Sequence, residues 1–194
     1  MVEAPIHMKI PQDRVGVLIG PTGRVKRKIE ELCGVELKVD SRSGSIELTL
    51  KPGATDPTTL FKAEGIITAI GRGFAPEKAF KLTNEGVLLE VIDLTDYVGK
   101  TQSELQRIKG RLIGERGKTR KILEETTGAA ISIYGHTVSI VGEPEQLEAA
   151  RKAVQMLIKG RQHSTVYRFL HRRRRELKKA ELTLWETPDE GIIK

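Results

Sequence analysis

Two stretches of this chain, GVLIGPTGRVKRKIEELCG (Gly16–Gly34) and GRLIGERGKTRKILEETTG (Gly110–Gly128), align without a gap at an offset of 94. Eight of the nineteen positions are identical, where chance would give about one at ~6–7% per position. Three further positions keep a basic residue: Arg24/Lys118, Lys26/Arg120 and Arg27/Lys121. Gly-x-x-Gly alone says little in a chain with 19 glycines. Its matched place inside a longer repeat decides the architecture.

The flanks repeat as well. A short strand is expected before each core, at His7–Ile10 and at Val87–Asp93. After each core comes a period-two apolar run, VELKV (Val35–Val39) or AAISI (Ala129–Ile133), then a turn and a second strand, SIELTL or TVSIV. Each unit closes on a helix with an apolar stripe, Leu60, Ala63, Ile67 and Ile70 in one copy, Leu147, Ala150, Val154 and Leu157 in the other. Pro57 and Pro144 sit near the helix starts, where proline is tolerated. The order β-α-α-β-β-α, written twice, implies an α+β chain of two small domains, at residues 1–80 and 81–160, followed by a basic C-terminal helix and tail at 161–194. Residues 72–86, RGFAPEKAFKLTNEG, read as the linker.

The helix after each second glycine carries its charges in an order that the helix dipole disfavours. Bases crowd its first turns (Arg24, Lys26, Arg27; Lys118, Arg120, Lys121) and acids follow (Glu30, Glu31; Glu124, Glu125). An anion at the helix N-terminus would satisfy the dipole, the free N–H groups and the bases together. A Gly-x-x-Gly turn without Cβ atoms lets a sugar–phosphate chain approach closely. Leu18, Ile19, Ile29 and Val39, with Leu112, Ile113, Leu123 and Ile133, are candidates for an apolar floor beside it. Ile19 and Ile113 are the best of these, because they touch the glycines. Tyr134 and His136, in the turn bordering the groove, are candidates to touch a base.

Ile-Gly-x-x-Gly between two helices, within β-α-α-β-β-α, resembles the KH domain of the eukaryotic arrangement (type I). That resemblance covers most of residues 6–160. It implies clamping of about four nucleotides of single-stranded nucleic acid by each loop, formed by Gly20, Pro21, Thr22 and Gly23 in one copy and Gly114, Glu115, Arg116 and Gly117 in the other. KH loops commonly hold a base between the glycines. Arg116 fits, whereas Pro21-Thr22 has none, so the second copy is expected to bind more strongly. KGRQHSTVYRFLHRRRR after the second repeat makes the chain similar to the archaeal form of the ribosome-assembly family called partner of Nob, or Dim two. The resemblance implies the 3′ region of small-subunit rRNA as ligand, with the Nob endonuclease or another ribosome-assembly or translation protein as partner.

Composition agrees. Net charge is +7, and residues 159–179 hold nine Lys and Arg against Glu176. Such concentrated charge points to a polyanion, and Arg172, Arg173, Arg174 and Arg175 are candidate phosphate contacts. The same segment can present Val166, Phe169, Leu170 and Leu177 as an apolar face. No signal peptide or membrane-length apolar run is seen, so a cytoplasmic protein is expected. One cysteine, Cys33, and four histidines show no metal spacing, and neither cofactor nor metal is expected. Gly117-Lys118-Thr119 matches the end of a nucleotide-triphosphate loop, but Leu112 stands where that loop needs its first glycine. No enzyme is expected; a KH-fold scaffold for protein contacts is the alternative to an RNA binder.

Overall fold

Alternating side chains set the two faces of the first sheet. In a computed structural model, which describes residues 5–53, 56, 58–98 and 101–185, β1 (Ile6–Lys9), β2 (Val35–Val39) and β3 (Ser45–Leu50) pair antiparallel in the order β1-β3-β2. Val35, Leu37, Ile46 and Leu48 point inward, while Glu36, Lys38 and Glu47 face out. Helices α1 (Gln12–Ile19), α2 (Arg24–Cys33) and α3 (Thr58–Gly71) cover the inner face. The expected stripe of Leu60, Ala63, Ile67 and Ile70 is buried. Pro57 lies outside the described residues. Cys33 is part of this core, and burial pushes its thiol pKa up.

The second unit repeats the plan. Strands β4 (Leu88–Asp93), β5 (Ala130–Tyr134) and β6 (Thr137–Gly142) pair antiparallel in the order β4-β6-β5. Beside them lie α6 (Gln102–Ile113), α7 (Lys118–Thr127) and α8 (Pro144–Ile158). Pro144 opens α8, with a reciprocal capping box between Glu143 and Gln146. A one-turn helix, α5 (Thr95–Val98), follows β4, and the long α9 (His163–Trp185) closes the fold. On α9, Val166 and Leu170 are buried and pack in the second core with Phe169 alongside, and Leu177 is half-buried.

The 72–86 segment is not a loose linker. It forms the short α4 (Pro76–Ala79) and a 3-10 turn at Phe80–Thr83, and Phe74, Ala79 and Leu82 are buried in the first core. Gly and Pro punctuate the stretch, but its apolar residues have a core to enter, and that outweighs local chain-breaking. Arg14 holds the turn by donating to the carbonyls of Ile70 (2.8 Å) and Phe74 (2.6 Å) at the C-terminal end of α3.

This segment brings the units together. Every residue of β6 is buried, so the central strand of the second sheet, unlike that of the first, is covered on both faces. Ala130 and Val141 belong to the first core. Ser132 donates to the Arg72 carbonyl at 2.9 Å. The Tyr134 hydroxyl donates to Asp13 at 2.5 Å, with the Arg14 guanidinium 5.8 Å from its ring centre. Tyr134 is therefore a contact between the units and not a free base platform.

Candidate nucleic-acid interface

The two Gly-x-x-Gly loops share one backbone conformation. Gly20 sits at φ 70°, ψ 173° and Gly114 at φ 73°, ψ 174°, a region that essentially only glycine occupies. Thr22 (φ 52°) and Arg116 (φ 51°) are the two non-glycine residues at positive φ among the described residues. Gly23 and Gly117 follow at φ 74° and 78°. A β-branched threonine in the left-handed region is a genuine outlier, and such strain clusters at functional sites.

The glycines within a loop have different reasons for being there. A Cβ on Gly20 would lie 2.5 Å from Val25 Cγ2, and one on Gly114 would collide with the Thr119 side chain and come within 2.7 Å of its backbone N. The first glycine thus serves the close return of the following helix. A Cβ on Gly23 or Gly117 would meet nothing within 4 Å. The space above each second glycine is open.

Beyond that space each helix begins bare. Neither α2 nor α7 has a side-chain N-cap or an acid in its first turn, so no side chain offsets the positive end of the dipole, although the Arg24 and Lys118 N–H groups donate to the Pro21 and Glu115 carbonyls. In the second copy Arg116, Lys118, Arg120 and Lys121 surround this end, all exposed. Arg120 lies 3.9 Å from Glu124, and Lys121 is 3.7 Å from Glu125. In the first copy Arg24 and Arg27 are exposed and Lys26 is half-buried, 3.8 Å from Glu30. Arg27 turns back to donate to the Thr22 carbonyl at 2.7 Å, which leaves the first loop fewer free donors. Pro21, Thr22 and Glu115 are exposed loop-tip residues.

The acids that follow the bases in these helices have structural work. Glu30 accepts the backbone N–H of Leu37 at 3.0 Å, and Glu124 accepts that of Ile131 at 2.9 Å. Each carboxylate ties its helix to the outer strand of its sheet. Lys78 from the connecting segment also pairs with Glu124 at 2.7 Å. Glu124→Ala should cost about 1–3 kcal/mol, the penalty of an orphaned N–H and two lost cation contacts. A urea unfolding midpoint shifted downward, with an unchanged slope, is the expected reading.

Of the apolar floor candidates, Leu18, Ile29, Leu112 and Leu123 are fully buried core residues. Ile19, Val39 and Ile133 are half-buried. Ile113 is 37% exposed beside Gly114, as a groove residue requires. Across the second groove Lys109 donates to the Gly135 carbonyl at 2.9 Å, and His136 lies 3.4 Å from Asp93. Lys109 is a groove cation that the repeat comparison passes over, because its counterpart is the buried Val15.

The arginine run lies elsewhere. Arg173 pairs with Glu148 of α8 (3.5 Å) and Glu176 (3.9 Å), and Arg172 with Glu176 (3.7 Å). Arg173 and Arg174 border a crevice with Thr127 and Gly128, at the end of α7 opposite the loop. Residues 186–194 of the expected tail lie outside the described residues.

Thr119 settles the Gly-Lys-Thr question. It is 3% exposed, beneath Gly114, and accepts a hydrogen bond from the Tyr167 hydroxyl of α9 at 3.2 Å. A phosphate loop needs that hydroxyl free for a metal ion; here it joins two helices.

Comparison with known proteins places this geometry. The model of the eukaryotic-type KH domain (type I) matches residues 88–175, and a general KH-domain model matches residues 5–60. A KH domain-containing protein of Methanocaldococcus jannaschii is 47% identical over 179 residues, covering 92% of this chain and 78% of that protein. The crystal structure of Dim2p from Pyrococcus horikoshii is 45% identical, with a TM-score of 0.82 over 88% of this chain and 99% of that one. The chain belongs to the Dim2 family of tandem KH-domain proteins. A second P. horikoshii Dim2p structure, solved as a complex of a/eIF2alpha, aDim2p and rRNA, is 44% identical with a TM-score of 0.84, over 89% of this chain and 95% of that one. The paired loops of this Dim2 protein are thus KH loops, and their order β-α-α-β-β-α is the type I arrangement.

Proposed function

We propose that this chain binds single-stranded RNA in small-subunit ribosome assembly, gripping the backbone with both Gly-x-x-Gly loops and more strongly with the second. The observation that carries this reading is the strained loop conformation, held twice, with open space above its second glycine and an uncapped, base-ringed helix start beyond it. One polyanionic strand satisfies all of these features.

The 3′ region of small-subunit rRNA is the proposed RNA, supported by the rRNA complex of the P. horikoshii relative. The proposed role is one of binding without chemistry, in the cytoplasm. Its proposed protein partner is the Nob endonuclease or a translation factor, the latter in line with the a/eIF2alpha in that complex. The proposed contacts are Ile113, Gly114, Glu115, Arg116, Gly117, Lys118, Arg120 and Lys121, with Ile19, Gly20, Pro21, Thr22, Gly23, Arg24, Lys26 and Arg27 as the weaker set. Arg172 to Arg175 add a long-range attractive field.

Fluorescence anisotropy with fragments of the rRNA 3′ region tests this reading, using the wild type, Gly23→Asp and Gly117→Asp at one fixed salt concentration. Both variants should bind less tightly, Gly117→Asp by the larger factor. Unchanged affinity in both would leave the scaffold reading standing.

A further inference from the structure

The repeat supplies its own control for a second feature. On the far side of α6 from Lys109, a groove of about 470 Å³ runs between α6, the second loop and the start of α9. Arg107, Gly110, Lys118, His163 and Tyr167 line it. Arg107 and Lys109 are two residues apart on a helix, so they project in nearly opposite directions. Lys109 faces the KH groove; Arg107 faces this one.

The second repeat departs from the first where this groove is built. Asp13, Val17 and Val25 of the first copy become Arg107, Arg111 and Thr119. Asp13 accepts a hydrogen bond from Tyr134, whereas Arg107 is exposed and has no ion-pair or hydrogen-bond partner among the described residues. Arg111 and Thr119 attach α9. Arg111 donates to the carbonyls of Leu157 (3.3 Å) and Arg161 (2.6 Å), Thr119 takes the Tyr167 hydroxyl, and a ring nitrogen of His163 lies 3.0 Å from the Arg111 carbonyl. The same contacts bring two rings, His163 and Tyr167, to the loop, with centres 6.1 Å apart and planes tilted by 57°. Aromatic residues make up 4% of the chain, so a ring pair beside Arg107 and Lys118, two cations without a partner among the described residues, is a distinctive setting. Among the described residues, Glu115 is the one acid on the rim.

We infer that this groove is a further nucleotide site for the same single-stranded RNA. It takes the nucleotide next to those gripped by Gly114–Gly117, with Arg107 and Lys118 receiving the phosphate and Tyr167 the base. The inference rests on the RNA-binding reading and extends it to a surface outside the KH groove. Its volume falls within the roughly 300–1,000 Å³ of ordinary ligand sites. By bonding to Thr119 beneath Gly114, Tyr167 also links the site to the position of the loop.

Two fragments of the rRNA 3′ region test it. One is the shortest that still loses affinity on Gly117→Asp; the other is extended by three nucleotides at its 5′ or 3′ end. In the wild type one of the extensions should tighten binding about 5- to 20-fold, the range of one phosphate contact with one stacked base. Arg107→Asp, which installs the residue of the first repeat at an exposed position, should remove most of that gain and change affinity for the short fragment less than about twofold. 4-Thiouridine in the extension should crosslink to Tyr167. No gain from either extension, equal weakening of both lengths by Arg107→Asp, or crosslinks confined to the KH groove would overturn the groove site while leaving the loop reading intact. Absence of any Gly117-dependent fragment would count against the RNA-binding reading itself.

Discussion

Gly114→Ala should lose about 2–6 kcal/mol of folding stability, whereas Gly117→Asp should keep the fold and lose the RNA. The first figure joins about 1–3 kcal/mol for an L-residue forced into a glycine-only backbone region to about 1–3 kcal/mol for overpacking. A methyl group at Gly114 runs into Thr119, backbone as well as side chain, and the backbone of a helix's first turn cannot give way. Because Thr119 anchors Tyr167, the damage should reach α9. Gly117 stands in the left-handed region at φ 78° with nothing within 4 Å of its Cβ direction. Aspartate tolerates that conformation better than most residues, so the melting temperature should move little. A carboxylate placed where a phosphate would lie should weaken RNA binding by about 30- to 100-fold, or about 2–3 kcal/mol. Melting curves and anisotropy on both variants separate the two effects. A Gly117→Asp protein that binds RNA as the wild type does would remove the second loop from the interface. For the same reason, lost binding in a Gly114 variant says nothing about the clamp unless its folding is checked.

Binding should also fall steeply with salt. If Arg116, Lys118, Arg120 and Lys121 each neutralise one phosphate, the slope of log affinity against log salt is roughly −0.7 per contact, or about −3 in all. A fourfold rise in salt, from about 50 to 200 mM, then weakens binding about 50-fold. Arg116→Ala should flatten the slope by nearly one contact and leave the fold intact, since its side chain is exposed. Removing the positive end of α9 should flatten it less, because Arg172 and Arg173 already face Glu148 and Glu176. A slope near zero would mean that backbone contacts do not hold the RNA, and the loops would then serve some other end.

Much of this architecture is legible in the sequence, for one physical reason. A duplicated pattern fixes the glycines, the helix starts and the strand order twice over, so each copy corroborates the other. The matched loops, the helix before each of them and the stripe on α8 follow directly. What escapes is whatever the copies do not share. Lys109, Thr119 and the start of α9 are visible only when the departures between repeats are read as closely as the identities. The 72–86 segment escapes because Gly73 and Pro76 mark a turn, while Phe74 and Leu82 reveal their role only once there is a core for them to enter. The acids of α2 and α7 read as a dipole penalty accepted for an anion, yet Glu30 and Glu124 hold strands that no local pattern places beside them. Charge density alone likewise draws attention to Arg172–Arg175, whereas packing brings His163 and Tyr167 to the loop.

The second sheet, with its central strand covered on both faces, has a consequence for how the molecule comes into being. During synthesis the first unit leaves the ribosome with a sheet whose outer side is already polar, Glu36, Lys38 and Glu47 facing water. The second unit emerges with Ala130 and Val141 on a face that finds its cover only on the first. The earlier half is thus a template for the later one, and the order of the two halves along the chain is also an order of assembly. A chain with its halves exchanged would have to make its dependent half first.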